Sequence, residues 1–423
     1  MPGAQREVMW PRLVANKILR KRSLAGSNNF VTDFPSYRET FLESASSGQP
    51  SLSIFNQQKD VHKVFVSTWN VGGVAPHDDF SLDNLLDTCN SCCDIYVFGF
   101  QEIVPLSVSN VLGSENSKIS MKWNSLIREA LNRKLRFDGK HGKSTETSIP
   151  QDFQCIVSKQ MVGILISVWV RSDLRPFIRH SSVSCVGCGV MGCLGNKGAV
   201  SVRFRLHETS FCFVCSHLAS GGREGDEKYR NSNVAEILSR TSFPRSPSLE
   251  LPRKILDHDR VIFLGDLNYR ISQPEATTRL LADREEWNAL LENDQLRMEL
   301  MDGQVLQGWH EGRIKFAPTY KYYPNSDTYY GGVEAKKGEK RRPPAWCDRI
   351  IWYGKGLKQH LYSRGELRLS DHRPVNAIFT AEVGVSQTFK GFQSFFRSDR
   401  YEVEVSSTDD IQYCKGRSSS FQL

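Results

Sequence analysis

The sequence lacks the long apolar segments of membrane-spanning and secreted proteins. Nowhere do about 18 uncharged apolar residues run together, as a transmembrane helix requires, and the N-terminus has no apolar core of signal-peptide kind. Eleven cysteines are present, but their odd number and irregular spacing do not fit a disulfide framework. These absences predict reduced thiols and a cytoplasmic location, with nuclear or peripheral membrane placement left open.

Charge leaves a wide choice of partners. The 423 residues carry 55 lysines and arginines against 47 aspartates and glutamates, which gives a net charge of +8 at pH 7. This excess favours an anionic partner, but it does not choose among nucleic acid, lipid headgroups and small phosphates. With 39% hydrophobic residues, the composition is that of a globular protein.

Hydrophobic periodicity divides the chain into a central domain and two tails. Residues 1–60 are polar, with a basic cluster between Arg12 and Arg22, and residues 385–423 lose periodicity. Between them, over 61–384, strand patterns mix unevenly with helix patterns. This mixture predicts an α/β fold in which a two-sheet β-sandwich is flanked by helices.

The individual elements follow from the same patterns. Strands are predicted over residues 61–69, 94–100, 162–170, 199–206, 211–218, 259–266 and 374–383. Helices are predicted over residues 81–90, 121–134, 226–240 and 272–293. The last helix opens with Ser272 and Glu275 in capping-box spacing and with Pro274 in its first turn.

The strongest local signal is FLGDLNYRI at 263–271. An apolar strand ends at Gly265, and Asp266 and Asn268 follow at a spacing that puts both side chains on one face of an extended backbone. Such a pair at the end of a buried strand is costly unless it is solvated, partnered or used in chemistry. The alternative is an Asx turn that closes the strand, and this segment alone favours neither.

Two further carboxylates lie in or beside apolar segments. Asp348 interrupts PAWCDRIIWYG, and Asp371 and His372 precede a strand in LSDHRPV. A buried carboxylate needs a cationic or donor partner, and His372 and Arg349 are the candidates for Asp348. An aspartate that orients an imidazole raises its basicity, which suits a histidine facing a phosphate oxygen or a reacting water. A structural ion pair between Asp348 and Arg349 is the alternative.

Three more predicted strands end in polar side chains, at Asn70, Glu102 and His217. Five strand ends of this kind predict one polar crevice at the rim of a two-sheet core better than they predict unrelated capping residues. A carboxylate such as Glu102 with oxygen donors around it matches the ligand set of Mg²⁺, which also takes phosphate oxygens. Hydrolysis of a phosphate ester is the expected chemistry.

Seven short segments of the chain, taken together and in their order along the sequence, resemble the plant-type inositol polyphosphate 5-phosphatases (type I). The resemblance rests on TWNVGG, GFQEIVPL, SHLASGG, FLGDLNYR, PTYKY, PAWCDRI and SDHRPV. PAWCDRI and GDLNYR are typical of the phosphatases rather than of the nucleases in the same exonuclease-endonuclease-phosphatase superfamily. The resemblance implies a deoxyribonuclease I-like fold. It also implies Mg²⁺-dependent removal of the 5-phosphate from phosphatidylinositol 4,5-bisphosphate, inositol 1,4,5-trisphosphate or related inositides by an activated water.

The resemblance further implies a role for each residue of the crevice. Glu102 binds the metal with help from Asn70 and Asp371, and Asp266 positions and deprotonates the water. The scissile phosphate is held by Asn268 and His217, while Asp348 orients His372. Substrate contacts are expected from Tyr320, Lys321, Lys340 and Arg342, which grip the 4-phosphate, and from Lys197 and Arg270. On composition alone, the run from Lys336 to Arg342 is a solvated basic loop.

Two other functions remain as alternatives. A Mg²⁺ nuclease on the same scaffold would need a broad basic track with aromatic platforms, whereas the cations here concentrate near PTYK and KRRPP. An inactive phosphoinositide-binding scaffold is opposed by the intact set of polar residues. We expect a monomer that does not bind nucleic acid. The N-terminal basic cluster could bind anionic lipid, act as a nuclear import signal or stay solvated.

Overall fold

The computed structural model describes most of the central part of the chain. The described residues are 29–33, 58–86, 92–105, 110, 117–138, 152–189, 194–245, 250–302, 305–331 and 342–385. The predicted N-terminal basic cluster and nearly all of the predicted C-terminal tail lie outside these residues. Lys336 and Lys340, from the predicted basic loop, also lie outside them.

Twelve strands and six α-helices are found among the described residues. The strands are β1 (Gln58–Asn70), β2 (Ile95–Gln101), β3 (Phe153–Met161), β4 (Ile164–Arg171), β5 (Ile178–Gly187), β6 (Gly198–Leu206), β7 (Thr209–His217), β8 (Arg260–Asp266), β9 (His310–Glu311), β10 (Asp348–Tyr353), β11 (Leu357–Arg364) and β12 (Val375–Val385). The helices are α1 (Asp83–Leu86), α2 (Ser117–Asp138), α3 (Glu227–Arg240), α4 (Glu275–Asp283), α5 (Trp287–Leu291) and α6 (Gln295–Asp302). Within the described part, no helix combines the length and apolar character needed to cross a bilayer.

The strands form two six-stranded sheets. Their orders are β11-β12-β1-β2-β4-β3 and β5-β6-β7-β8-β10-β9. Each sheet has one parallel pair near its centre, β1 with β2 and β7 with β8, and its other pairs are antiparallel. Helices α2 and α3 pack on the outer faces, α2 through Trp123 and α3 through Val234 and Ile237. The predicted two-sheet sandwich flanked by helices is confirmed.

The main core lies between the two sheets. Valine, isoleucine and phenylalanine side chains of both inner faces form one buried cluster, as the alternation of the central strands requires. Gly99 on β2 marks a close approach between the sheets. A Cβ atom at this position would lie 2.7 Å from Cδ1 of Leu264 and 2.8 Å from Sγ of Cys215. Glycine is therefore the residue that lets the sheets meet here.

The sheet topology brings the polar strand ends to one edge of the sandwich. Asn70 and His217 are the last residues of β1 and β7, the first strands of the two parallel pairs. Asp266 lies opposite His217 on β7 and opposite Asp348 on β10. Strand β12 is antiparallel to β1 and begins shortly after His372, so this residue reaches the same edge. The crevice predicted from the strand ends has a topological basis.

The predicted helix over 272–293 is wrong as a single element. It is split into α4 and α5 because Glu285 has a φ of 57°, and a residue in the left-handed region cannot continue a right-handed helix. The predicted capping box is also wrong. The residue that precedes α4 is Pro274, which has no side-chain capping bond, so Ser272 does not cap the helix.

Several strands, most of them at sheet edges, are not indicated by the sequence patterns. Strands β3, β5, β9, β10 and β11 were not among the predicted strands; β5 and β11 are only partly buried and so lack an apolar run. Residues 29–33, within the predicted N-terminal tail, pair with β3. Val31 exchanges two backbone hydrogen bonds with Ser158, and Asp33 accepts a bond from the backbone N–H of Cys155 and pairs with Arg128.

Substitution of Gly99 by alanine tests the close approach of the sheets. We expect Gly99→Ala to lower the free energy of unfolding by roughly 1–3 kcal/mol, because the added methyl overpacks the core. Gly384→Ala is the matched control, since a Cβ there would find its nearest neighbour at an ordinary 3.7 Å. Urea unfolding of both variants provides the measurement. Equal stability of the Gly99 variant and the unaltered protein would show that the sheets do not meet at this point.

Candidate active site

Asp266 lies at the centre of the polar cluster. Its Oδ2 accepts a hydrogen bond from Nδ2 of Asn70 at 2.9 Å, and it lies 3.2 Å from Nε2 of His217 and 4.0 Å from Nε2 of His372. The residue is 1% exposed. Burial alone would raise the pKa of Asp266, but charge interactions and hydrogen bonding with its neighbours, His217 first among them, outweigh burial and lower that pKa. Asp266 is therefore an ionised carboxylate at neutral pH.

Asp348 and His372 form a buried hydrogen-bonded pair. Nδ1 of His372 lies 2.8 Å from Oδ2 of Asp348, which also accepts the hydroxyl proton of Thr319 at 2.7 Å. Burial alone would lower the pKa of His372. The carboxylates of Asp348 and Asp266 outweigh burial and raise it to about 9. The Asp348 carboxylate thus orients the His372 ring and favours its protonated form.

Arg349, the other candidate partner of Asp348, has different contacts. Its Nη1 donates to both carboxylate oxygens of Asp294 at 2.9 Å, and its Nε and Nη2 donate to Glu311 at 2.6 and 2.5 Å. Consecutive residues of a strand point to opposite faces, so Asp348 faces the crevice and Arg349 faces away. The ion pair weighed between these two residues is therefore absent.

Glu102 carries the carboxylate best placed for a metal ion. It directly follows β2 with a positive φ of 53°, a strained conformation of the kind that clusters at functional sites. Its Oε1 lies 3.8 Å from Nε2 of His217, and its side chain is 26% exposed. Within the described residues no donor hydrogen-bonds to this carboxylate. An accessible carboxylate without a donor suits a hard cation such as Mg²⁺.

A different trio of side chains also lies close enough together to hold an ion. Asp266, Asp348 and His372 offer ligand atoms within 4.8 Å of one another. However, Oδ2 of Asp348 already bonds to both His372 and Thr319. Asp348 and His372 are therefore engaged with each other, while Asp266 lies 4.0 Å from Nε2 of His372, and Glu102 is the freer ligand.

Asn70 and Asp371, the other predicted metal ligands, have protein partners. The side-chain oxygen of Asn70 accepts the N–H of Gly72 at 2.9 Å, so its amide nitrogen is aimed at Asp266. Oδ2 of Asp371 accepts a hydrogen bond from Nζ of Lys321 at 2.5 Å. Burial alone would raise the pKa of Asp371, but His372 and Lys321 lower it overall. Metal ligation by Asn70 and Asp371 stays a prediction.

Lys197, a predicted substrate contact, touches a residue of the polar cluster. Its Nζ contacts Nε2 of His217. Burial lowers the pKa of Lys197 to about 8, with a smaller contribution from Arg270. Burial and the Lys197 cation together also lower the pKa of His217.

The Arg270 side chain is hydrogen-bonded to Asn268. Asn268 has a left-handed φ of 57°, and its backbone N–H donates to Oδ1 of Asp266 at 3.1 Å. The Asx turn considered as an alternative is therefore present beside the polar cluster. Nε and Nη2 of Arg270 donate to the backbone and side-chain oxygens of Asn268 at 3.1 and 2.6 Å. Contact of Arg270 with substrate stays a prediction.

The remaining predicted substrate contacts lie beside this cluster. The ring of Tyr320 packs against the ring of His372 with centroids 4.5 Å apart. Arg342 lies close to Gly222: a Cβ atom placed on this glycine would be 3.9 Å from Nη1 of Arg342. Lys321 is the cation paired with Asp371.

Two supporting residues were missed in the sequence. Thr319, which binds Asp348, directly precedes Tyr320 in PTYKY and could have been noticed for that reason. Arg279 donates to the backbone oxygens of Tyr330 and Arg342 at 2.9 and 3.2 Å. Nothing in the local pattern around Arg279 indicates this, because it lies on a helix far from both partners in sequence.

Comparison with known proteins places this geometry in a family. Residues 67–378 match the Endonuclease/Exonuclease/phosphatase family 2. The chain is 64% identical to the type IV inositol polyphosphate 5-phosphatase 9 of Arabidopsis thaliana over 414 residues, which cover 96% of this chain and 99% of that protein. The chain belongs to the inositol polyphosphate 5-phosphatases. It is also 45% identical to the type I enzyme 8 of the same organism, over 88% of this chain and 86% of that one.

Solved structures agree with this family membership. The inositol polyphosphate 5-phosphatase domain of SPsynaptojanin, in complex with inositol (1,4)-bisphosphate and a calcium ion, matches with a TM-score of 0.65 and 31% identity. The match covers 80% of this chain and 90% of that domain. Cimex nitrophorin, with a TM-score of 0.52 and 17% identity, shares the fold alone. Because relatives of both types are similar to the chain, the type I assignment stays a prediction.

The contact between Lys197 and His217 can be tested by titration. We expect the pKa of His217 to rise in Lys197→Met, because the substitution removes a cation that disfavours the protonated ring. Histidine NMR of the metal-free protein measures this value, with the His217→Gln spectrum identifying the resonance. Lys59→Met, at a surface ion pair with Glu382, is the control. An unchanged pKa of His217 in Lys197→Met would contradict the contact.

Proposed function

We propose that the protein is a Mg²⁺-dependent phosphomonoesterase that removes the 5-phosphate from phosphatidylinositol 4,5-bisphosphate, inositol 1,4,5-trisphosphate or closely related inositides. The observation that carries this proposal is the convergence of Asp266, Glu102 and the Asp348–His372 pair at one edge of the sandwich. The ligand of the SPsynaptojanin domain supports the substrate class. Inositol 1,4-bisphosphate is what remains when inositol 1,4,5-trisphosphate loses its 5-phosphate.

Glu102 would hold the Mg²⁺ ion, with Asp371 and Asn70 as further oxygen ligands. When bound, the ion supplies positive charge that stabilises the transferring phosphoryl group. The Asp371 carboxylate is shared with Lys321 in the free protein. Lys321 thus lies next to the proposed metal site, where its ammonium would contact a substrate phosphate as well as Asp371.

Asp266 positions the attacking water and accepts its proton. Its ionised Oδ2 is fixed by the Asn70 amide, so a water hydrogen-bonded to this carboxylate has a defined approach to the phosphorus atom. The water oxygen forms the new P–O bond in line with the leaving inositol oxygen, without a phosphoenzyme. The P–O bond to inositol breaks, and the inositol oxygen leaves with its electron pair and takes up a proton from solvent. His372, held by Asp348 and protonated at neutral pH, donates from Nε2 to a phosphoryl oxygen as its negative charge grows.

The scissile phosphate is bound by Asn268 and His217, and Lys197 contacts Nε2 of His217. The 4-phosphate of the ring is met by Tyr320, Lys321, Lys340 and Arg342. Arginine and lysine are the expected donors to phosphate oxygens. Peripheral contact with membranes, a monomeric state and the absence of nucleic-acid binding stay predictions.

Asp266→Asn tests the proposed chemistry. We expect it to lower 5-phosphate release from inositol 1,4,5-trisphosphate by at least about 10³-fold, because the amide cannot accept the proton of the attacking water. KM should change little. Asp173→Asn, at a surface ion pair with Arg171, is the control and should leave turnover intact. Plasmid nicking by the unaltered protein without any phosphate release would support the nuclease instead.

Lys321→Met tests the proposed grip on the 4-phosphate. We expect KM for inositol 1,4,5-trisphosphate to rise about 10-fold, the value of one charge-assisted hydrogen bond. KM for inositol 1,5-bisphosphate, which has no 4-phosphate, should stay the same. A Mg²⁺ titration of both proteins separates this effect from a change at Asp371. Equal rises in KM for both substrates would refute the assignment.

A further inference from the structure

We propose that Arg270 is a positioning residue for Asn268 and does not contact the ring phosphates of the substrate. The inference rests on the proposed function and deepens it, because Asn268 is the proposed ligand of the scissile phosphate. The proposal is supported by the hydrogen bonds that hold the side-chain amide of Asn268 in place.

Two of the three hydrogen-bonding groups of this amide are already assigned. Its oxygen accepts a bond from Nη2 of Arg270 at 2.6 Å, and its nitrogen donates to the backbone oxygen of Leu218 at 3.2 Å. A flipped amide would place its N–H groups against the guanidinium and its oxygen against the Leu218 oxygen. Both contacts would be repulsive. Arg270 therefore fixes the amide so that one N–H remains for a phosphate oxygen.

Arg270 also holds the backbone of the same residue. Its Nε donates to the backbone oxygen of Asn268 at 3.1 Å, where φ is 57°. A left-handed residue other than glycine persists only when its surroundings enforce it. The fixed fork of the guanidinium presents separate donors to the backbone and side-chain oxygens of Asn268, a geometry that a lysine ammonium does not reproduce.

Arg270 is itself held in place. The side-chain oxygen of Gln295 accepts a hydrogen bond from the backbone N–H of Arg270 at 2.8 Å, and the backbone N–H of Gln295 donates to the backbone oxygen of Arg270 at 2.9 Å. The same side-chain oxygen of Gln295 accepts Nη2 of the buried Arg230 at 2.7 Å. The ring of Tyr320 lies 4.5 Å from the Arg270 guanidinium carbon. A group fixed on this many sides is suited to hold another group still.

Within the described residues, no carboxylate lies at salt-bridge distance from the Arg270 guanidinium. Arg270 is only 8% exposed. A cationic donor on the amide oxygen polarises the amide and strengthens the bond that its N–H gives to an anionic oxygen. Lys321 is more accessible than Arg270, with 26% of its side chain exposed. It is the better candidate for the ring phosphates.

A double-mutant cycle between Arg270 and Asn268 tests the proposal. We expect Arg270→Met to lower kcat on the order of 100-fold, the effect of misplacing a contact at the reacting centre by about 1 Å. KM should change little. The loss should be the same for inositol 1,4,5-trisphosphate and inositol 1,5-bisphosphate. In an Asn268→Ala background, Arg270→Met should cost less than about threefold, because the group that it positions is gone.

The opposite pattern would overturn the proposal. If Arg270 grips the 4-phosphate, KM rises for the trisphosphate alone and the effect persists undiminished in the Asn268→Ala background. If the unaltered protein releases phosphate from neither substrate, the proposed function fails, which is a separate outcome. Arg270→Lys keeps the charge without the fork, so it should also lower kcat. It replaces Arg270→Met in the cycle if the methionine variant does not fold.

Arg203→Met is the matched control. Arg203 is also buried and donates to backbone oxygens, those of Pro252 and Pro244, at 2.6 and 2.9 Å. It lies opposite Cys212 on β7, five residues before His217, which is roughly 17 Å along the strand. We expect this variant to lose thermal stability without a change in kcat. A kcat loss equal to that of Arg270→Met would indicate a general effect of removing a buried arginine.

Discussion

The site depends on keeping one buried carboxylate charged. Asp266 is almost fully removed from water, where an isolated carboxylate would take up a proton. It stays ionised because side chains from both sheets reach it: the amide of Asn70 and the ring of His372 from the sheet of β1 and β12, and the ring of His217 from the sheet of β7. These partners meet only when the two sheets are stacked in the observed register. Fold and chemistry therefore support each other at this point.

The central residues of the site were predictable from the sequence because each of them follows directly on an apolar strand pattern. Asn70, His217 and Asp266 could be found at strand ends, and parallel strand pairs bring such ends together. The partner of Asp348 was narrowed to two residues and no further. Asp348 and Arg349 are consecutive residues of β10, so their side chains point to opposite faces and His372 is the partner of Asp348. This argument needs the segment to be a strand, and its apolar run alone does not distinguish a strand from a loop.

Other features depend on contacts that no local pattern records. The break between α4 and α5 follows from a single left-handed residue, Glu285, inside a segment with good helical spacing. Arg270 is predicted to contact the substrate, and this contact stays a prediction. The left-handed turn at Asn268 folds the arginine back onto that residue. In both places one left-handed residue sets contacts that the periodicity of the segment does not indicate.

The pairing of Val31 with Ser158 has a consequence for solubility. An unpaired outer strand offers its backbone groups to other chains. Here the protein's own N-terminal segment occupies part of that margin, and Asp33 ties it to Arg128 on α2. A shortened chain that starts at β1 would uncover β3 and leave the Arg128 guanidinium without this carboxylate. Self-association through the bared strand is the hazard that the NFVTD segment removes.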